Sequence, residues 1–403
     1  MKTRIPLILI CSVIILTACN NSSKVNGDIV VLNGMEAVKN AKELKLSDIA
    51  ESIEYVKLET SPECLVSEGS FVVGKKYIVC FNRKPGNVLL FTREGKFLRS
   101  IGSRGKGPQE VEYPKNIDLS LDENRILIES MGFPGKVFEF TIEGKFIRSS
   151  PIPYMSEGGI KYFGSQYFIY LQNRYFKDSV NFPRVIVLDQ NMANPKTLYK
   201  IDNKPNPDGM AAYQLRSLMG RMESGFNFRD CLNDTLYHVD ESLNVKAKYI
   251  IRIGKNRPLH TTMTQIEWDT YQNDIEMINE VKDYVFMLAQ IDGKRAHLVY
   301  DKKSGEIFSL NKQSNCEGKS IYGYGLTDDL MGMEPYWAWD AMDLRLNLIS
   351  EPLEMTALKE LVETNCFKKN DQHKTTKYRD KLKELVNNSS IDDNPIIRII
   401  HLK

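Results

Sequence analysis

Val88-Leu-Leu-Phe-Thr-Arg-Glu-Gly-Lys-Phe-Leu-Arg-Ser100 recurs 49 residues later as Val137-Phe-Glu-Phe-Thr-Ile-Glu-Gly-Lys-Phe-Ile-Arg-Ser149. Each copy reads as a strand, a tight turn with Glu-Gly at its tip, and a second strand. Glycine suits the positive φ that such turns demand. Weaker echoes follow. Arg184 to Asp189 leads to Thr197 to Ile201, Thr235 to Asp240 leads to Ala247 to Ile253, and Arg295 to Asp301 leads to Glu306 to Leu310. A further strand precedes the first three hairpins, at Tyr77–Phe81, Arg125–Glu129 and Gln166–Leu171. Four strands per roughly fifty residues is the period of a propeller blade, whose sheet covers both of its faces only by stacking on its neighbours.

Five such blades are readable between Leu65 and Leu310, and a sixth must use residues beyond Ile321 together with both ends of the chain. Ile53–Glu59 and Ile396–Leu402 are lone apolar strands at opposite ends. Pairing them in one sheet closes the ring and hides its edges. The expected fold is therefore all-β, a six-bladed β-propeller over residues 46–403, with seven blades or a β-sandwich as the alternatives. Two stretches break the pattern. Trp268, Tyr271, Ile275 and Ile278 step by three and four and predict a helix over 261–281. Leu358, Leu361 and Val362, then Tyr378, Leu382 and Leu385, predict two helices within 352–386, as a lid or docking element or as packing on the propeller's outside.

The first nineteen residues place the chain in a compartment. Lys2 and Arg4 precede an apolar run from Ile5 to Leu16, too short for a comfortable membrane span, and Leu16-Thr-Ala-Cys19 follows. Leu-x-Ala-Cys resembles the lipobox of bacterial lipoproteins. The resemblance implies a signal peptide over 1–18, lipidation of Cys19 and a membrane anchor. Residues 19–45 are expected to form a polar tether, beginning Asn20-Asn-Ser-Ser-Lys24.

Further residues extend the resemblance. Tyr55-Val-Lys-Leu-Glu-Thr60, the hairpin ending Gly95-Lys-Phe-Leu-Arg-Ser-Ile-Gly102, the loop Gly105-Lys-Gly-Pro-Gln-Glu110 and the closing Asp393-Asn-Pro-Ile-Ile-Arg-Ile-Ile-His-Leu-Lys403 are similar to the six-bladed propeller lipoproteins of Bacteroidota, which are related in style to NHL-repeat and TolB-like propellers. The family more often has Gly-Glu-Tyr after the proline of that loop, where this chain has Gln109-Glu-Val111. The resemblance implies architecture and an envelope location, expected to be the outer membrane. In this bacterial group an acid-rich stretch just after the lipidated cysteine resembles a surface-export signal; with no acid between Asn20 and Lys24, the resemblance implies a periplasmic face over the cell surface.

Charge excludes one class of partner. The chain holds 54 Lys+Arg against 52 Asp+Glu, and loss of Lys2 and Arg4 with the signal leaves 52 against 52. A neutral protein has no footprint for nucleic acid. Linear catalytic motifs are missing too. The histidines at 238, 260, 297, 373 and 401 are scattered, and no HExxH, GxSxG, Walker or EF-hand pattern occurs. No catalytic residue can be named, and no cofactor is expected, apart from Ca2+ in the central channel under the enzyme reading. The inner strand of each blade faces that channel, so a site can still be assembled from residues far apart in sequence.

Candidate ligand contacts are Arg104, Lys106, Glu110 and Tyr113 in one inter-blade loop, Arg174 and Asp178 in a second loop, Phe226, Phe228 and Arg229, and the late aromatics Tyr324, Trp337 and Trp339. Aromatic faces beside Arg and Asp suit sugar stacking, and they suit inter-blade packing equally well. The reading is a monomeric binding or scaffold module for a glycan, a peptide or an envelope protein. The alternative is a lyase or hydrolase with a central divalent cation. Of the cysteines left after Cys11 and Cys19, Cys80 reads as a small core hydrophobe.

Overall fold

The computed structural model describes residues 22–25 and 29–403 except 68, 83–85, 132–134, 153–158, 165–166, 172–181, 202–209, 212–217, 223, 231–232, 256–261, 264–272, 312–324, 332–341, 344, 365–366 and 368–375. Six sheets form six blades. Blade 1 spans Gly69 to Ile101, blade 2 Pro114 to Ile152, blade 3 Lys161 to Ile201, blade 4 Leu218 to Arg252 and blade 5 Asp274 to Leu310, each an antiparallel meander of four strands. Blade 6 joins Met342–Asp343, Leu348–Leu353 and Ile396–Leu402 to Ala50–Lys57 from the other end of the chain. The closure is antiparallel, with Ile396 opposite Lys57 and Ile400 opposite Ile53. Both terminal strands expected to close the ring do so.

Strand alternation builds the core. Successive side chains point to opposite faces of a sheet, so each blade buries one set against each neighbour. In blade 1, Val79 and Phe81 pack with Ile117, Ile126 and Phe138 of blade 2, whereas Ile78 and Cys80 pack with Val56, Ile397 and Ile399 of blade 6. Cys80 is thus a seam hydrophobe, as read. The two repeated hairpins are alike in detail. Gly95 and Gly144 sit at φ +89° and +86°, and the phenylalanines flanking each turn meet edge to face, Phe91–Phe97 at 5.6 Å and Phe140–Phe146 at 5.7 Å.

Two expectations are corrected. The helix over 261–281 is absent from its described part, where Thr262–Met263 and Asp274–Glu280 are strands; Trp268 and Tyr271 lie outside the described residues. The register slips between Ile275 and Met277 against the neighbouring strand. This irregularity puts Ile275 and Ile278, three apart, into the same core cluster and imitates helical spacing. The tether expected to reach residue 45 is folded, with Ser22–Val25 pairing antiparallel to Ile29–Asn33. Ile29–Asn33 pairs in parallel with the outermost strand of blade 4, and Ala41–Lys42 with that of blade 5. The strap then enters blade 6 as its outermost strand, so one segment laces three consecutive rims.

The two helices expected within 352–386 are present, Met355–Glu363 and Thr376–Asn387, between the second and third strands of blade 6. Leu358, Val362, Leu382 and Val386 join the cluster at the seam of blades 5 and 6, which is the packing role rather than that of a lid.

His297, in the third strand of blade 5, is buried, and its pKa is pulled down to about 4 by burial, with Arg295 adding to the effect. The unfolded chain takes up this proton near 6.5 and the folded chain only near 4. Its stabilising contribution is therefore full above pH 6.5 and is lost as pH falls through 4, a change of about 3 kcal/mol. Urea midpoints measured from neutral pH down to 4 should fall less steeply for His297→Gln than for the native chain. Equal slopes would refute this assignment.

Candidate functional site

The first strands of the blades approach one another around the axis, and they bring a set of charges together. Pro114–Leu119 of blade 2 supplies Lys115, Asn116 and Asp118; Lys161–Phe163 of blade 3 supplies Lys161; Leu218–Arg221 of blade 4 supplies Arg221. Arg345 follows the first strand of blade 6, and Glu129 comes from the second strand of blade 2. Arg221 Nη1 donates to Asp118 Oδ2 at 2.7 Å, and the Tyr162 N–H donates to the same oxygen at 2.8 Å. Asn116 Nδ2 donates to Glu129 Oε2 at 2.9 Å, and Lys115 lies 3.7 Å from Glu129 Oε1. Across the ring, Arg345 Nη1 reaches the Leu119 carbonyl at 3.5 Å.

Lys161 stands in the middle. Its Nζ donates to the Ile117 carbonyl at 2.9 Å. Protein packed around the ammonium lowers its pKa by desolvation; Asp118 and Glu129 oppose this shift, and Arg221 and Arg345 add to it. Asp118 is fully buried, and its Oδ1 accepts no hydrogen bond among the described residues. Four cations and two carboxylates therefore share this part of the channel wall.

The central Ca2+ of the enzyme reading does not fit these residues. Asp118 and Glu129 are each held by a cation, and no three His, Cys, Asp or Glu side chains among the described residues could hold a metal ion.

The residues singled out from sequence fare differently. Ser103–Arg104 pairs in parallel with Glu110–Val111 and pinches the first inter-blade loop into a compact turn. Glu110 is turned into its own loop, where its Oε2 accepts from the Gly107 N–H at 2.8 Å, so it shapes the loop rather than facing a ligand. A Cβ at Gly105 would stand 2.0 Å from that oxygen, so a larger residue there would displace the Glu110 carboxylate from the loop. Arg104 and Lys106 are exposed, Lys106 lies 3.4 Å from Glu112, and Tyr113 is 52% exposed beside Met131.

Phe226 and Phe228 are core. They pack at the seam of blades 3 and 4, with Phe163 5.1 Å from Phe226 and Tyr237 stacked 5.2 Å from Phe228. Arg229 is likewise structural. Its Nη2 lies 3.0 Å from Asp274 and its Nη1 donates to the Ile275 carbonyl at 2.9 Å, which ties blade 4 to blade 5. Arg174, Asp178, Tyr324, Trp337 and Trp339 lie outside the described residues, as does Cys19.

Sequence reasoning missed Lys115, Asp118, Lys161, Arg221 and Arg345. A signal was available. These charges sit on or beside the opening strands of blades 2, 3, 4 and 6, among mostly apolar neighbours.

No helix among the described residues is long and apolar enough to cross a membrane. Among solved structures, the chain is similar to a "Putative exported protein" of Bacteroides fragilis NCTC 9343, at 16% identity and a TM-score of 0.64, over 93% of this chain and 99% of that one. This likeness extends to the whole propeller. A DUF4221 family member from Bacteroides vulgatus is similar at 13% identity and a TM-score of 0.44, over 64% of this chain and 84% of that one. No curated protein matches the sequence. A family model, Domain of unknown function (DUF4934), matches residues 29–401, from the strap that laces the rims to the strand that closes the ring, and the chain belongs to that family.

Proposed function

We propose that this chain is a lipid-anchored propeller of the cell envelope that binds a glycan, a peptide or a partner protein without transforming it. The convergence of Lys115, Lys161, Arg221 and Arg345 with Asp118 and Asn116 on the channel wall carries the binding part of this reading. Charged donors and acceptors fixed by neighbouring blades are pre-organised, so a ligand that meets them pays little to order them. The exposed Arg104, Lys106 and Tyr113, on the connection from blade 1 to blade 2, offer a second contact surface. Capture on the full-length protein in detergent tests this reading. Envelope polysaccharide or an envelope protein should be retained, and Arg104→Ala with Tyr113→Ala should weaken retention through that second surface. Retention of nothing from the envelope would end the binding reading.

The envelope part rests on Lys2, Arg4, the apolar run and Leu16-Thr-Ala-Cys19, which support export and lipidation at an outer-membrane anchor, and on the acid-free Asn20 to Lys24, which supports its periplasmic face. Cys19→Ala should move the protein from the membrane pellet to the soluble fraction in cell fractionation, because acyl chains supply the anchoring. Continued sedimentation of that variant with membranes would refute the anchor, and digestion by protease added to intact cells would reverse the orientation.

A further inference from the structure

The strap leaves almost no free chain between the body and its anchor. Ser22 lies opposite Leu32, and Leu32 opposite Ile251, so Ser22–Val25 is the outermost strand of the blade 4 sheet. Cys19 stands three positions before Ser22, and three extended residues span at most about 11 Å whatever path they take. A free tether over residues 19–45 would instead allow roughly 30 Å of reach. The rim of blade 4 also carries charge of one sign. From Lys246 to Lys255 the sequence holds Lys246, Lys248, Arg252 and Lys255 and no acid, in a chain whose charges balance overall. Lys246, Arg252 and Lys255 are exposed, and of the four only Lys248 is ion-paired among the described residues, to Glu280 at 2.8 Å. Asp240 and Glu241 precede the strand, and the Asp240 carboxylate accepts from the Ser242 and Asn244 N–H groups of its own turn, both at 2.9 Å.

We infer that the rim of blade 4 rests against an anionic lipid surface, so that the propeller stands edge-on at the membrane rather than at the end of a stalk. This rests on the anchor at Cys19 proposed above and adds an orientation to it. Two independent observations meet here. Chain length keeps this rim close to the acylated residue, and charge suits the same rim to anionic headgroups. An anionic surface attracts lysine and arginine over a Debye length, about 10 Å at 0.1 M ionic strength, and the link is no longer than that. A long tether would leave every face of the propeller equally free to meet the membrane. A three-residue link does not, because the strand it enters is fixed by pairing to Ile29–Asn33 and through it to Val245–Arg252.

Lysine acetylation read by mass spectrometry tests this on the full-length lipidated protein in vesicles of phosphatidylethanolamine and phosphatidylglycerol, with the soluble Cys19→Ala chain as reference. Lys246 and Lys255 should react about fivefold more slowly on vesicles, the factor that matches the ~1 kcal/mol a lysine gains beside an anionic surface. Lys96, exposed on the hairpin of blade 1 three blades away, should react equally in both. Flotation separates the possible failures. A native chain that does not float with the vesicles overturns the anchor and this orientation together. A chain that floats while Lys246 and Lys255 react as fast as in the soluble reference, or while Lys96 is slowed instead, overturns the orientation alone. Protection in native membranes but not in protein-free vesicles would assign the rim to an envelope protein and likewise overturn the lipid contact.

Discussion

Arg184→Ala should destabilise the propeller by about 3–5 kcal/mol, the cost of stranding one member of a buried ion pair. Arg184 lies in the third strand of blade 3, and its Nε donates to Asp230 Oδ2 of blade 4 at 2.7 Å. The two side chains are 1% and 2% exposed. Removing the guanidinium takes this partner from the Asp230 carboxylate, which is 2% exposed in the seam. The magnitude belongs to the broken pair rather than to the intact one, because desolvation offsets most of the attraction between the partners. Arg184→Met combined with Asp230→Leu should therefore fall much closer to the native protein than either single change. Denaturant midpoints for the three variants decide the matter. A double variant as unstable as Arg184→Ala would show that the seam needs the charges themselves.

Gly95→Val should cost about 4 kcal/mol or more, well beyond the same change at Gly144, although the two hairpins are sequence repeats. Both glycines hold a positive φ that a β-branched residue adopts only with strain. Their surroundings differ. A Cβ at Gly95 would stand 2.3 Å from the Lys57 carbonyl oxygen, whereas the nearest atom at Gly144, the Ser100 carbonyl oxygen, is 3.7 Å away. The Gly95 carbonyl also accepts from the Glu59 N–H at 2.8 Å, so this turn is docked against the closing blade. Gly144→Val should thus show backbone strain alone, on the order of 1–3 kcal/mol. Thermal midpoints should rank native, Gly144→Val, then Gly95→Val. Equal losses would mean that contact with blade 6 contributes nothing at that turn.

The hairpins were legible because their information is local. Glycine at the tip and a phenylalanine on either side of it specify the turn and its edge-to-face pair without help from the rest of the chain. The closing strands were legible because two lone apolar strands at the chain ends have few other partners. The strap was not. Ile29 to Leu32 is a short apolar run whose partner, Tyr249 to Ile251, lies over two hundred residues away, and no local preference announces a parallel pairing of that kind. The helix misread over 261–281 has a comparable cause, since an irregularity in pairing depends on the neighbouring strand and is invisible in one strand alone.

The candidate site divides along the same line. Loop residues such as Arg104 and Lys106 are conspicuous because charge and aromatics cluster in sequence, and they prove to be exposed. Phe226 and Phe228 are equally conspicuous and prove to be seam packing. Asp118, Lys161, Arg221 and Arg345 are single charges spaced across more than two hundred residues, brought together only by ring closure.

The strap bears on when this chain can fold. Ile29 to Lys57 precedes blades 1 to 5 in the chain, yet its strand partners are Val245–Arg252, Glu306–Leu310 and Ile396–Leu402, the last of them over three hundred residues away. Pairings so distant in sequence are slow to form, because chain closure must precede the contacts that reward it. The meanders of blades 1 to 3 pair within themselves, whereas the ring locks only once these distant pairings are made.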